Sequence, residues 1–126
     1  MEKKFIFDVS ETEKEILEYL WENPAGVKFR EIMDYFNEIK EKNWKKQTVN
    51  TFLMRLKEKG LIEGESEGTR ITYRAAYSKE GYEMKKAESI LENYYDGSVA
   101  NFVMALTGGE KLDKEVGDEL RKLLKE

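Results

Sequence analysis

Histidine and cysteine are both absent from the 126-residue chain, and their absence removes whole classes of chemistry. No Cys or His nucleophile, no imidazole general base and no thiolate or imidazole metal site can form. Disulfides are impossible as well, which fits a reducing compartment. Proline occurs once, at Pro24, so it punctuates a single turn. No apolar run approaches the roughly 20 residues that a membrane-spanning helix needs. Met1-Glu2-Lys3-Lys4-Phe5 carries no signal-peptide pattern, so a cytoplasmic location without a membrane partner is expected. What the chain has in quantity is charge: apolar types make up 40% and charged types 38%, enough for a core under a heavily ionic surface. A protein that binds rather than catalyses is expected.

The net charge of −4 speaks against a nucleic-acid partner when taken alone. Its distribution says otherwise. Residues 40–59 hold seven basic groups (Lys40, Lys42, Lys45, Lys46, Arg55, Lys57, Lys59) against Glu41 and Glu58. Residues 76–126 hold 8 basic and 11 acidic groups. One strongly basic segment is set in an otherwise acidic protein.

Ser10-Glu11-Thr12-Glu13 is a capping-box sequence, and Ile16, Leu17, Leu20 and Trp21 follow at helical spacing up to the stop at Asn23-Pro24-Ala25-Gly26. This predicts a helix over 11–22. Phe29, Ile32, Met33, Phe36 and Ile39 predict a second over about 28–40. A third runs from near Lys45 to Lys59, with Val49, Phe52, Leu53 and Leu56 as its buried stripe and Gly60 suited to the left-handed position that follows. The period then changes. Leu61-Ile62-Glu63 and Arg70-Ile71-Thr72-Tyr73-Arg74 flank Gly64–Gly68 and read as a hairpin with one buried face. Three helices followed directly by a hairpin make a winged helix-turn-helix. Helical spacing returns over about 79–95, in a short segment after Ser98, and over about 113–125. Three short amphipathic helices cannot build a large core alone, so they are expected to bury their stripes against a second copy. The residues assigned to that contact are Tyr82, Ile90, Leu91, Tyr94, Phe102, Val103, Val116, Leu120, Leu123 and Leu124.

On the third helix, the face opposite the apolar stripe presents Lys46, Gln47, Asn50, Thr51 and Arg55, with Lys45 and Thr48 at its entry. Asn, Gln and Arg can bond base edges in the major groove, while Lys and Thr reach phosphates and thymine methyls. The plain alternative is a solvated helix face. The absence of acids from this set and its place just before a hairpin favour DNA. Arg70 and Arg74 on the hairpin could touch phosphates, although Glu63, Glu65 and Glu67 lie nearby, and an ordinary exposed strand pair fits equally well. Tyr82, Tyr94, Tyr95, Phe102 and Trp21 could line a ligand site, but their helical spacing makes them core or interface residues first. Thr107-Gly108-Gly109-Glu110-Lys111 lacks the spacing of a phosphate loop and reads as a turn. The carboxylates sit mostly beside lysines on outward faces, with no apolar-flanked pair suited to acid–base catalysis. Neither an enzyme nor a cofactor is expected.

Several segments together resemble the penicillinase-repressor family of winged-helix transcriptional regulators. They are Leu20-Trp21 closing the first helix, Trp44-Lys45-Lys46-Gln47-Thr48-Val49, Leu53-Met54-Arg55-Leu56-Lys57-Glu58-Lys59-Gly60, Tyr73 late in the wing, and Gly97-Ser98-Val99-Ala100-Asn101-Phe102-Val103. The Trp44-containing entry combined with the Gly-Ser-x-x-x-Asn-Phe-Val segment is the specific part. The resemblance implies a homodimer whose N-terminal winged helix binds a palindromic, double-stranded operator and whose C-terminal three-helix segment dimerises. It also implies inactivation by a sensor-activated protease at an Asn-Phe bond, matched here by Asn101–Phe102. There are departures. Lys45-Lys46-Gln47-Thr48 stands where the family often has Ser-Pro-Lys-Thr, and Lys14 where the first helix often has a tryptophan. The copper-responsive branch uses C-terminal cysteines, which this chain lacks.

The expected molecule is mainly α with a small β-hairpin wing, divided into a winged-helix DNA-binding domain over 1–76 and a helical dimerisation domain over 77–126. Two other readings stay open. One is a winged-helix protein-interaction module without DNA binding; the other is a ligand-gated repressor with a pocket at the Tyr82/Tyr94 helix.

Overall fold

A computed structural model describes residues 7–110 and 113–124. The chain is mainly α, with six helices and a small antiparallel sheet among the described residues: α1 (Glu11–Glu22), β1 (Val27–Lys28), α2 (Phe29–Asp34), α3 (Lys46–Glu58), β2 (Ile62–Glu67), β3 (Arg70–Ala75), α4 (Lys79–Tyr94), α5 (Val99–Thr107) and α6 (Lys114–Leu124). The capping box forms as expected: the Glu13 amide donates to the Ser10 hydroxyl at 3.1 Å, and the Ser10 amide donates to the Glu13 carboxylate at 2.9 Å. At the other end of the helical trio, Gly60 adopts φ 75°, and the Leu61 amide donates to the Leu56 carbonyl at 3.0 Å. That turn closes α3 and starts the wing.

Two features differ from the sequence expectation. The second helix is α-helical only over Phe29–Asp34 and continues as a π-helical turn over Tyr35–Ile39. The wider turn goes with the aromatic packing beside it, since Phe36 stacks on Trp44 at 4.9 Å and packs edge-on to Tyr35 at 5.0 Å. The sheet also has a third strand. Val27 pairs with Tyr73 and Lys28 with Thr72, giving the order β1-β3-β2. A two-residue strand is too short to leave an alternating pattern in sequence.

The chain folds as two compact units, the first ending at Ala87 and the second starting at Glu88, so the division falls inside α4 rather than at the expected 76/77 position. The reason is Tyr82. Its ring is 1% exposed, lies 5.3 Å from Trp21 and 5.9 Å from Phe7, and its hydroxyl donates to the Phe7 carbonyl at 3.3 Å. Tyr82, assigned by spacing to the contact between copies, is therefore a core residue of the winged helix. The first unit's core otherwise joins Ile16, Leu17 and Leu20 of α1 to Ile32 and Phe36, to Val49, Leu53 and Leu56 of α3, and to the sheet through Val27, Ile62 and Tyr73. Lys14 stands 5.5 Å from the Tyr82 ring centre and 6.0 Å from that of Trp21, a cation over two aromatic faces.

In the second unit, Ser98 caps α5 by accepting from the Asn101 amide at 3.0 Å, and Gly108 ends it at φ 65°. Tyr95 packs edge-on to Phe102 at 5.3 Å. The helix buries no residue within the described chain.

Candidate nucleic-acid interface

The site is built on α3, and its position depends on the turn before it. Asn37 clamps that turn from both sides: its side-chain amide donates to the Trp44 carbonyl at 2.9 Å, and its side-chain oxygen accepts from the Trp44 amide at 2.6 Å. The Trp44 ring is held between Phe36 at 4.9 Å and Phe52 at 5.4 Å. Glu41 and Asn43, at φ 55° and 58°, make the bends that let the chain return. The entry to α3 is thus anchored to the core by a packed ring and a two-way amide clamp.

No side chain caps the N-terminus of α3 and its first turn holds no acid. Lys45 and Lys46 lie exposed beside these free helix-end amides, an arrangement that favours an anion. Gln47, Asn50, Thr51 and Arg55 are exposed as expected, while Thr48 is half-buried. Among the described residues, Lys45, Lys46, Arg55 and Arg70 take part in no ion pair, whereas Lys28, Lys42, Lys59 and Arg74 do. The Thr51 hydroxyl donates back to the Gln47 carbonyl at 2.9 Å.

The structure separates the two wing arginines. Across the hairpin, Glu63 pairs in register with Arg74, Glu65 with Thr72 and Glu67 with Arg70. Arg74 is drawn to Glu65 at 2.8 Å, and Lys28 lies 3.9 Å from Glu67. Arg70 stays exposed at the tip. It shares with Asn50 a cleft of about 620 Å³ lined mainly by α2 and the wing, whose walls also carry Lys28 and Arg30 and the acids Glu31 and Asp34. The cleft lining includes Tyr73, whose burial raises the pKa of its phenol above the ordinary value. Arg55, 140° around the helix from Asn50 at 100° per residue, serves the opposite flank.

Sequence reasoning missed three members of this surface. Lys28 is brought to the wing by its pairing with Thr72, which left no pattern in the sequence, and Arg30 follows in the first turn of α2. Met54, 61% exposed, lies outside the buried stripe and carries no strong hydrogen-bonding group that would mark it for a binding face. Glu58 is also exposed, but at the last residue of α3.

The remaining assigned positions lie in the second unit. Tyr94, Phe102 and Val116 are exposed at 66%, 37% and 43%, while Ile90, Leu91 and Val103 are half-buried. Leu120, Leu123 and Leu124 fall on α6, and their side chains lie outside the described residues. Asn101 is exposed in the first turn of α5.

Known proteins share both this sequence pattern and this geometry. The family model described as penicillinase repressor matches residues 9–126. The chain belongs to the penicillinase-repressor family. It is 26% identical over 123 residues to the penicillinase repressor of Bacillus licheniformis, covering 98% of this chain and 94% of that one. To the methicillin resistance regulatory protein MecI of Staphylococcus aureus it is 23% identical over 119 residues, covering 94% of each. Among solved structures, the DNA-binding domain of the repressor BlaI superposes with a TM-score of 0.53 at 26% identity, over 64% of this chain and 94% of that one. The family membership agrees with the winged-helix architecture. Among the described residues no helix is long and apolar enough to cross a membrane, and no group of three or more acidic residues could hold a metal ion.

Proposed function

We propose that this family member is a cytoplasmic, DNA-binding transcriptional repressor, which acts by binding rather than catalysis and grips a palindromic operator as a homodimer. The observation that carries this reading is the exposed, acid-free outer face of the first half of α3, whose entry the Asn37–Trp44 clamp anchors to the core. Lys45 and Lys46 with the helix-end amides take a phosphate; Gln47, Asn50, Thr51 and Arg55 reach base edges; Arg70 takes a flanking phosphate. The name of the BlaI domain as DNA-binding supports the same role.

The second unit supports the dimer. Val99, Phe102, Val103 and Leu106 recur at i, i+3, i+4 and i+7 on α5, yet Val99 is 63% and Leu106 69% exposed. A stripe of this kind left in water by its own chain is covered by a second copy, and two copies place two α3 helices on successive half-sites. Asn101–Phe102 lies inside that stripe, so cleavage there by a sensor-activated protease would dismantle the dimer and release the operator.

Gel shifts on the protein's own promoter region across a salt series test the reading. Binding should weaken steeply with salt, because each phosphate contact releases counterions. Arg55→Ala should cost about 1–3 kcal/mol of binding free energy if it bonds a base. Absent or salt-independent binding at low ionic strength would overturn the proposal.

A further inference from the structure

The outward face of α3 holds one side chain that hydrogen-bonded readout does not employ. Met54 stands seven residues after Gln47 and three after Thr51, so at 100° per residue these three share the outermost line of the helix. Val49, Leu53 and Leu56, the buried residues of α3, face the other way. Met54 therefore contributes nothing to its own core and, at 61% exposure, keeps its thioether chain in water. Beside it, the Thr51 hydroxyl is committed to the Gln47 carbonyl, which leaves the Thr51 γ-methyl as that residue's outward apolar group. Two apolar groups thus adjoin at the midpoint of a face whose other members are Gln47, Asn50 and Arg55, with Glu58 four residues beyond Met54 at its C-terminal end.

Major-groove base edges offer one apolar partner, the C5-methyl of thymine. We infer that Met54, flanked by the Thr51 methyl, reads a thymine methyl and makes each copy of α3 select an A·T pair under its midpoint. This rests on the proposal that α3 enters the major groove, and it adds a specificity residue to it. An unbranched side chain suits the task, since it can follow a methyl group without a fixed donor geometry.

The test enriches bound duplexes from a library with a randomised core, then replaces each thymine of the selected duplex, one at a time, by deoxyuridine. Uracil keeps every hydrogen-bonding group and lacks only the methyl. One thymine per half-site should weaken binding about three- to fivefold on replacement, the worth of one buried methyl. Met54→Gln should bind thymine and uracil duplexes within about twofold of each other, and Met54→Leu should restore the preference. The inference is overturned if uracil is neutral at every position for the unaltered protein, or if Met54→Gln keeps the full preference. If no duplex is enriched at all, the DNA-binding reading falls first and takes this one with it. Because the uracil scan uses the unaltered protein, a folding defect in a variant cannot mask the answer.

Discussion

Glu13 illustrates how a single side chain can join local capping to tertiary structure. It closes the capping box of α1, and Lys59 at the end of α3 donates to both its carboxylate oxygens at 3.2 Å while also donating to the Asp8 carbonyl at 3.0 Å. Burial alone raises the carboxyl's pKa. The Ser10 amide, the Lys59 ammonium and the Ser10 hydroxyl together outweigh it, and the group sits below its ordinary value. A depressed pKa in the folded state means stabilisation that is full above the unfolded-state value and is lost as pH falls through the folded one. Thermal melting followed from about pH 6 down to pH 3 should show this loss, and Glu13→Gln should flatten the acid limb. The same substitution should cost about 1–3 kcal/mol at neutral pH, because it leaves Lys59 without its charged acceptor. An unchanged acid limb in Glu13→Gln would show that other carboxylates govern it.

At the scale of elements, the entry to α3 decides whether its face is presented at all. Asn37 makes two hydrogen bonds to the backbone of one residue, Trp44, across a loop with two left-handed non-glycine residues. Asn37→Ala removes both bonds at once and should destabilise the domain by about 1–3 kcal/mol in denaturant titration. It should also weaken operator binding beyond what the unfolded fraction explains, since a loosened entry spends time misaligned. Equal losses in stability and in binding would assign the clamp a purely structural role. This clamp also marks where the sequence was hard to read. Trp44 was recognisable as part of a family-like entry, but its partner Asn37 lay in a stretch that reads as ordinary amphipathic helix. The spacing of Val49, Leu53 and Leu56 located α3 to within a residue, because a helix with one buried face writes its period directly into the chain. The same logic misplaced Tyr82: periodicity shows that a helix has an apolar face but not what covers it, and α4 begins in one compact unit and ends in another. β1 left no trace because two residues have no period.

The acidic total of the whole molecule hides an arrangement suited to selective binding. With a net charge of −4, the proposed dimer should have little general attraction for DNA and should depend on both copies engaging their half-sites. Dimerisation is therefore expected to set affinity more strongly than in a basic repressor. Leu106 lies 69% exposed near the C-terminal end of α5, where a cation suits the helix dipole, so Leu106→Lys should leave the helix intact while spoiling an apolar contact between copies. Sedimentation should shift it to the monomer. Its affinity for a full palindrome should fall about a hundredfold or more, because the second half-site contact no longer follows from the first, while its affinity for an isolated half-site stays that of the unaltered protein. A variant that remains dimeric would move the contact off this stripe. A monomeric variant that keeps full operator affinity would remove the dimer from the recognition mechanism altogether.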